Sequence, residues 1–336
     1  MKKYKIFVGI DISKGWIDVA VKSETVSVCR RFDNCKKGYR SMLSWLKTFA
    51  SFKEMILCME HTGVYGMPLW EYLANQKICF VVETGLQIRH SMGIRRGKSD
   101  KADAQIIARY IRLHHTETRL YKVPNEVIKR LKIVFGYRER LLKVKHLLTV
   151  SSKEISSFMS KSACREMTID SGKLAAIISE RISRIEKVID KIIEADPETN
   201  RIYRLVKSVP GIGPITGAYL IIVTQNFTLI NNSRKLSRYA GMSPEKNESG
   251  IIKRKAKTSR IGNKKLKALL SNCVGTIIQH DIESREYQQR KIDQGKPEGV
   301  IINNLRNKIL HRVCAVVNRG TPYVNIKKYR TMENVA

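Results

Sequence analysis

The first third of the chain alternates short apolar runs with polar turns. Tyr4-Lys5-Ile6-Phe7-Val8-Gly9-Ile10-Asp11 reads as a buried strand. Strand signals over 4–12, 15–22 and 24–32 are separated by turns such as Ser13-Lys14-Gly15. Strands joined so closely form an antiparallel meander. A helix is expected from Tyr39 to Phe52, with Met42, Leu43, Leu46 and Phe49 on its apolar face. The run Met55-Ile56-Leu57-Cys58-Met59-Glu60 is a further strand. A helix over about 68–75, a strand over 78–82 and helical segments from about 86 to 113 follow. This order is that of an RNase H-like α/β fold, in which the first and fourth strands are neighbours.

The period then changes. Val127, Leu131, Val134, Leu141, Val144 and Leu148 keep a three-or-four spacing, with Arg138 in one gap. Leu174, Ile178, Ile182, Ile185, Ile189 and Ile192 do the same, and Ser162 to Gly172 is polar enough for a loop. Two long helices are expected, as an intramolecular hairpin or a dimerising coiled coil. Pro197 ends the second. The organisation expected is an α/β domain over 1–120, a helical coiled coil over 121–198, and a mainly α domain over 199–336 that carries a helix-hairpin-helix-like turn.

Charge narrows the function. Lys plus Arg number 63 against 30 Asp plus Glu, a formal net charge of +33. Residues 200–336 alone hold 26 Lys/Arg and 8 Asp/Glu. Such an excess favours a polyanionic partner, because nucleic acid releases counterions on binding. The seven cysteines form no CxxC pair, so neither a zinc ribbon nor a disulfide framework is indicated. No run of 18 apolar residues appears, and the N-terminus has no signal-peptide pattern. A cytoplasmic protein acting on nucleic acid is expected.

Against this basic background the acids stand out. Asp11 and Glu60 each close an apolar run, and Asp100 and Asp103 lie three apart on one face of a helix start. Each has an ordinary reading as a turn cap or a helix N-terminal acid. Gathered at one end of the sheet they form an all-oxygen set suited to Mg²⁺ beside a phosphate. Arg95, Arg96, Lys98 and Lys101 nearby would face the backbone of a bound strand.

Two motifs follow in the C-terminal region. Ser208-Val209-Pro210-Gly211-Ile212-Gly213-Pro214 reads as a helix-hairpin-helix turn, with Gly211 and Gly213 opening backbone N–H groups to a phosphate, or as a tight turn without a ligand. Ser249-Gly250 is a turn beside Ile251–Leu270, which holds eight basic residues and no acid: Lys253, Arg254, Lys255, Lys257, Arg260, Lys264, Lys265 and Lys267. From chemistry alone Ser249 is a turn residue or a nucleophile.

These motifs together resemble the transposases of the insertion-sequence one-ten family, the bridge-RNA-guided DNA recombinases. The resemblance rests on Gly9-Ile10-Asp11-Ile12-Ser13-Lys14, Glu60-His61-Thr62-Gly63-Val64-Tyr65 and Lys98-Ser99-Asp100-Lys101-Ala102-Asp103-Ala104. It continues through Pro210–Pro214, Tyr239-Ala240-Gly241-Met242-Ser243-Pro244, Ser249-Gly250 and Ile261-Gly262-Asn263-Lys264-Lys265-Leu266. Ser99 stands where threonine is common. The resemblance implies a RuvC-like DEDD domain holding Mg²⁺ through Asp11, Glu60, Asp100 and Asp103. It also implies a C-terminal transposase domain whose catalytic serine is Ser249, acting through a phosphoserine intermediate. A structured noncoding RNA would pair with target and donor DNA, and the protein would work as a dimer or tetramer. The competing reading is a junction-resolving, metal-dependent nuclease in which water is the nucleophile.

Overall fold

The computed structural model describes residues 4–93, 100–249, 252–259 and 261–325, with backbone alone at Met92, Asp100, Lys101, 151–153, Ser156, Lys161, Lys246, Asn247 and 252–255. The first apolar runs form β1 (Ile6–Ile12), β2 (Trp16–Lys22) and β3 (Ser27–Asp33). Then come α1 (Lys36–Lys47), β4 (Met55–Glu60), α2 (Met67–Asn75), β5 (Phe80–Glu83), α3 (Gly85–Met92) and α4 (Asp100–His114). The sheet order is β3-β2-β1-β4-β5. β1, β2 and β3 are antiparallel neighbours, while β4 runs parallel to β1 and β5 parallel to β4. The first and fourth strands are therefore side by side, as expected.

Both faces of the sheet are buried, which is why its central strands read as continuous apolar runs. Val8, Ile10, Leu57 and Met59 pack with Tyr39, Met42 and Leu46 of α1 and Leu69 and Leu73 of α2. On the opposite face Phe7, Ile56, Cys58 and Val81 meet Ile107, Tyr110 and Ile111 of α4. Helix α1 stops at Lys47 rather than Phe52, and the Thr48 hydroxyl donates back to the Trp45 carbonyl at 2.7 Å. Phe49 and Phe52 still pack on the core from the loop, which explains their helix-like spacing.

This first unit ends at Val123, and a second spans Pro124–Ala336. The second opens with α5 (Glu126–Phe158) and α6 (Lys161–Glu194), which lie along each other. The break between them is Met159-Ser160, where the Ser160 hydroxyl accepts from Ala163 N, so the expected loop over 162–172 is a correction: that segment is helical. Its polar side chains face solvent, and a polar helix face carries no loop signal of its own. Arg138, the gap in the apolar repeat, pairs with Glu186 of the facing helix at 2.7 Å. Helix α6 stops at Glu194, just before Pro197, which also opens the next helix, capped by Asp196.

The remainder comprises α7 (Pro197–Lys207), α8 (Pro214–Thr224), α9 (Ser233–Tyr239), β6 (Pro244–Ser249), β7 (Ile252–Thr258), α10 (Lys264–His280), α11 (Ile282–Asp293) and α12 (Glu298–Arg319). The base of the helical pair joins this core: Leu131, Phe135, Ile189 and Ile193 cluster with Val206, Leu220, Leu270 and Leu305. The antiparallel ribbon β6–β7 is the one strand pair among the described residues of this otherwise helical unit, within the mainly α expectation. All seven cysteines are free thiols, and among the described residues no helix is long and apolar enough to cross a membrane.

Candidate functional site

Residue alternation places Asp11 on the face of β1 that carries Phe7 and Gly9, beneath α4. Glu60 shares the corresponding face of β4 with Ile56 and Cys58. The register pairs Ile10 with Met59, so Asp11 and Glu60 occupy the next positions at the same end of two parallel neighbours. Helix α4 crosses β1 in backbone contact: a Cβ on Gly9 would stand 2.2 Å from both the Ala104 carbonyl and the Ala108 nitrogen. His115, just beyond α4, stacks at 5.2 Å from Phe7. The helix thus runs counter to β1, and its first turn, from Asp100 to Asp103, lies toward the Asp11 end.

Asp11, Glu60 and Asp103 are each half-buried. The side chain of Asp100 lies outside the described residues, as do Arg95, Arg96 and Lys98 entirely; Lys101 is placed by its backbone in the first turn of α4. Among the described residues no three His, Cys, Asp or Glu side chains form a group able to hold a metal. Asp11 and Glu60 thus share an end and a face of the sheet, with Asp103 in the first turn of α4, without forming a coordination shell. Their hard oxygen donors, placed at the carboxyl ends of parallel strands, fit Mg²⁺ in kind.

Two further acids border this end of the sheet. Asp18 stands opposite Asp11 in register, buried, and receives a bidentate Arg31 at 3.0 and 2.8 Å. Its charge is already neutralised. Glu83 stands opposite Glu60 and accepts from the Tyr110 hydroxyl at 3.2 Å. Burial and then the Glu83 charge push the Tyr110 phenol well above its ordinary value. Glu83 closes the run Phe80–Val82 just as Glu60 closes its own, a signal the sequence carried. His61 is exposed, and its Nδ1 accepts from Gly63 N at 3.4 Å.

In the second unit Ser249 is the last residue of β6, exposed, and paired in register with Ile252 across the ribbon. Gly250, Ile251 and Arg260 lie outside the described residues, and Lys253, Arg254 and Lys255 are placed on β7 by backbone alone. The foot of the ribbon, where Pro244 pairs with Thr258, is pinned by two motifs distant in sequence. Asn263 caps α10 through Leu266 N at 2.9 Å, and its own N–H donates to the Tyr239 carbonyl at 2.8 Å. A Cβ on Gly262 would stand 2.5 Å from Gly241 N, so the two segments touch backbone to backbone. Lys257 and Lys264 are exposed here, while Lys265 pairs with Glu139 at 2.6 Å. Gly211 has φ +83° and packs against α10, where a Cβ would meet Ile277 at 2.4 Å; Gly213 is exposed at the N-cap of α8.

Comparison with known proteins agrees with these two regions. A DEDD-type IS110 family model described as "Transposase" matches residues 8–149, and one described as "Transposase IS116/IS110/IS902 family" matches residues 203–289. The "Pilin gene-inverting protein" of Moraxella lacunata is 25% identical over 327 residues, covering 95% of this chain and 98% of that protein. The "Transposase for insertion sequence element IS1533" of Leptospira borgpetersenii is 22% identical, covering 71% of this chain and 75% of that one. A solved structure titled "T. thermophilus RuvC in complex with Holliday junction substrate" aligns at 9% identity and a TM-score of 0.28, over 35% of this chain and 100% of that one, too loosely to bear on the fold. With one family model on the carboxylate-bearing unit and another on the ribbon-bearing unit, the chain belongs to the IS116/IS110/IS902 family of transposases.

Proposed function

We propose that this protein is a DNA recombinase of an insertion sequence that cuts and rejoins strands through a phosphoserine link at Ser249. The observation that carries this reading is the exposed Ser249 at the end of β6, on a ribbon whose other strand is strongly basic. In the attack, Oγ gives up its proton and bonds to phosphorus. One bridging oxygen of the phosphodiester leaves and takes up a proton. The bond energy stays in the new ester, so the reverse step rejoins a strand without ATP. A serine hydroxyl is a weak nucleophile at neutral pH and needs activation.

The N-terminal sheet order supports an RNase H-like, RuvC-like reading of residues 1–120. In that reading Asp11, Glu60, Asp100 and Asp103 hold Mg²⁺. Bound there, the ion would stabilise charge on the attacking and leaving oxygens. Its ligand residues keep it on hard oxygen donors, and Arg31 keeps Asp18 out of the set by neutralising it. The reading extends to a structured noncoding RNA that pairs with target and donor DNA, and to work in the cytoplasm. Exposed apolar residues along the outer half of the helical pair, among them Leu147, Phe158 and Ile177, support a coiled-coil contact with a second copy.

The competing reading, a metal-dependent nuclease using water, is favoured by carboxylates that share one end of the sheet without any serine. Protein, RNA transcribed from beside the gene, and labelled DNA separate the two on a denaturing gel. A protein–DNA adduct that disappears in Ser249→Ala supports the recombinase. Undiminished cutting by Ser249→Ala, with no adduct in the wild type, overturns it.

A further inference from the structure

At the foot of the ribbon lies a cleft of about 920 Å³ between β7, the start of α10 and the first turns of α12. Lys257, Lys264, Lys267 and Arg306 line it together with Asn303 and Asn304, and among the described residues no acid does. None of these four cations forms an ion pair among the described residues. Lys265, beside them in sequence, is the one committed to a carboxylate, Glu139.

Two polar groups in the wall are built in but incompletely satisfied. Arg306 donates through Nη2 to the Ser271 hydroxyl at 2.7 Å, while its Nε is buried without a partner. Burial lowers its pKa, as expected for a guanidinium drawn from water without a counter-ion. Asn303 is 9% exposed; it spends its N–H on the Met242 carbonyl at 3.0 Å, leaving Oδ1 buried and unpartnered. Buried polar atoms are nearly always paired, so two orphans beside four cations without counter-ions favour an anionic, hydrogen-bonding occupant. An anion satisfies the cations, and a hydroxyl or amino group satisfies an orphan oxygen. A nucleic-acid backbone and its sugars or bases offer both.

We infer that this cleft seats a phosphodiester of a nucleic-acid strand, held by Lys267 and Arg306 with Lys257 and Lys264 at the rim. The ribbon runs five residue steps from the foot at Pro244 to Ser249, roughly 17 Å of extended chain. A strand seated in the cleft therefore passes within a few nucleotides of Ser249. The inference rests on the reading that this unit handles nucleic acid, but not on the chemistry of the serine.

The test uses full-length protein carrying Ser249→Ala, so that no serine adduct forms, with a short labelled DNA duplex and a labelled RNA hairpin as separate probes. Affinity is measured across a salt series for Lys267→Ala and Asn304→Asp, with Arg201→Ala on α7 as the control. Thermal midpoints establish that each variant is folded. Lys267→Ala is expected to lower the salt slope on one of the probes by about 0.9, the loss of one phosphate contact. Asn304→Asp, which puts an acid into the cleft, is expected to weaken the same probe. The probe that responds identifies DNA or RNA as the occupant. Slopes and affinities matching Arg201→Ala on both probes overturn the inference. So does a thermal shift with inorganic phosphate that Lys267→Ala abolishes while both nucleic acids bind unchanged. Failure here leaves the serine adduct untouched, and absence of the adduct leaves this binding result standing.

Discussion

Gly85 lies directly against the carboxylate of Glu60: a Cβ at residue 85 would stand 2.1 Å from Glu60 Oε1. Gly85 opens α3 immediately after β5, and that helix start forms one wall around the glutamate. Gly85→Ala must turn the carboxylate away or shift the helix. Strand cutting is expected to fall about 10- to 100-fold, the usual effect of disturbing a group that orients a metal ligand. Raising Mg²⁺ should recover part of the loss. Unchanged activity across a Mg²⁺ titration would remove Glu60 from the metal set.

Gly9 and α4 set a second dependence. Because the neighbours of a Cβ at residue 9 are backbone atoms of Ala104 and Ala108, no rotamer change relieves the clash. Gly9→Ala is expected to cost at least the about 1–3 kcal/mol typical of overpacking. It should also displace Asp100 and Asp103 from Asp11. Denaturant unfolding reads the first effect and Mg²⁺-dependent cutting the second.

Arg31 holds the buried Asp18 carboxylate with two hydrogen bonds and stacks over Trp16 at 4.8 Å. Arg31→Ala leaves that carboxylate in the sheet with its partner gone. A loss of about 1–3 kcal/mol is expected, the cost of an unsatisfied buried polar group. Asp18→Asn together with Arg31→Ala should destabilise less than Arg31→Ala alone. The double variant is compared by chemical denaturation.

The cap of α7 gives a pH signature. The Thr199 hydroxyl and then its N–H, at 3.0 Å, hold the Asp196 carboxyl below its usual range. Folding therefore favours the ionised form. Its contribution is complete above the unfolded value of about 3.9 and is lost as pH falls through the lower folded value. Asp196→Ala should cost about 1 kcal/mol near neutral pH. The gap from wild type should stay constant down to about pH 5 and shrink below about pH 4. A gap that widens on acidification would contradict the assignment.

How much of this was legible in the sequence depends on what each element buries. β1 and β4 are covered on both faces, so their apolar runs, and the acids closing them, were plain. Glu83 ended a run in the same way but was missed, because β5 contributes only four residues. Asp18 sat inside an alternating strand, and only the register set it beside Asp11. The ribbon β6–β7 has no apolar run, since β6 is polar and β7 is rich in Lys and Arg, so it gave no strand period; the Ser249-Gly250 turn was its one local sign. The cleft residues Asn303 and Arg306 lie on α12, forty or more residues from the ribbon. Only packing brings them to its foot, which no local spacing encodes.

If Ser249, rather than water, attacks DNA, the modified atom is identifiable. Wild-type protein is trapped with RNA and DNA, denatured, digested with protease and nuclease, and sequenced by tandem mass spectrometry. A nucleotide phosphate is expected on the peptide containing Ser249, absent when Asp11→Ala or Glu60→Ala is used. Cut DNA with no phosphorylated serine peptide, or a phosphate on another residue, would contradict it.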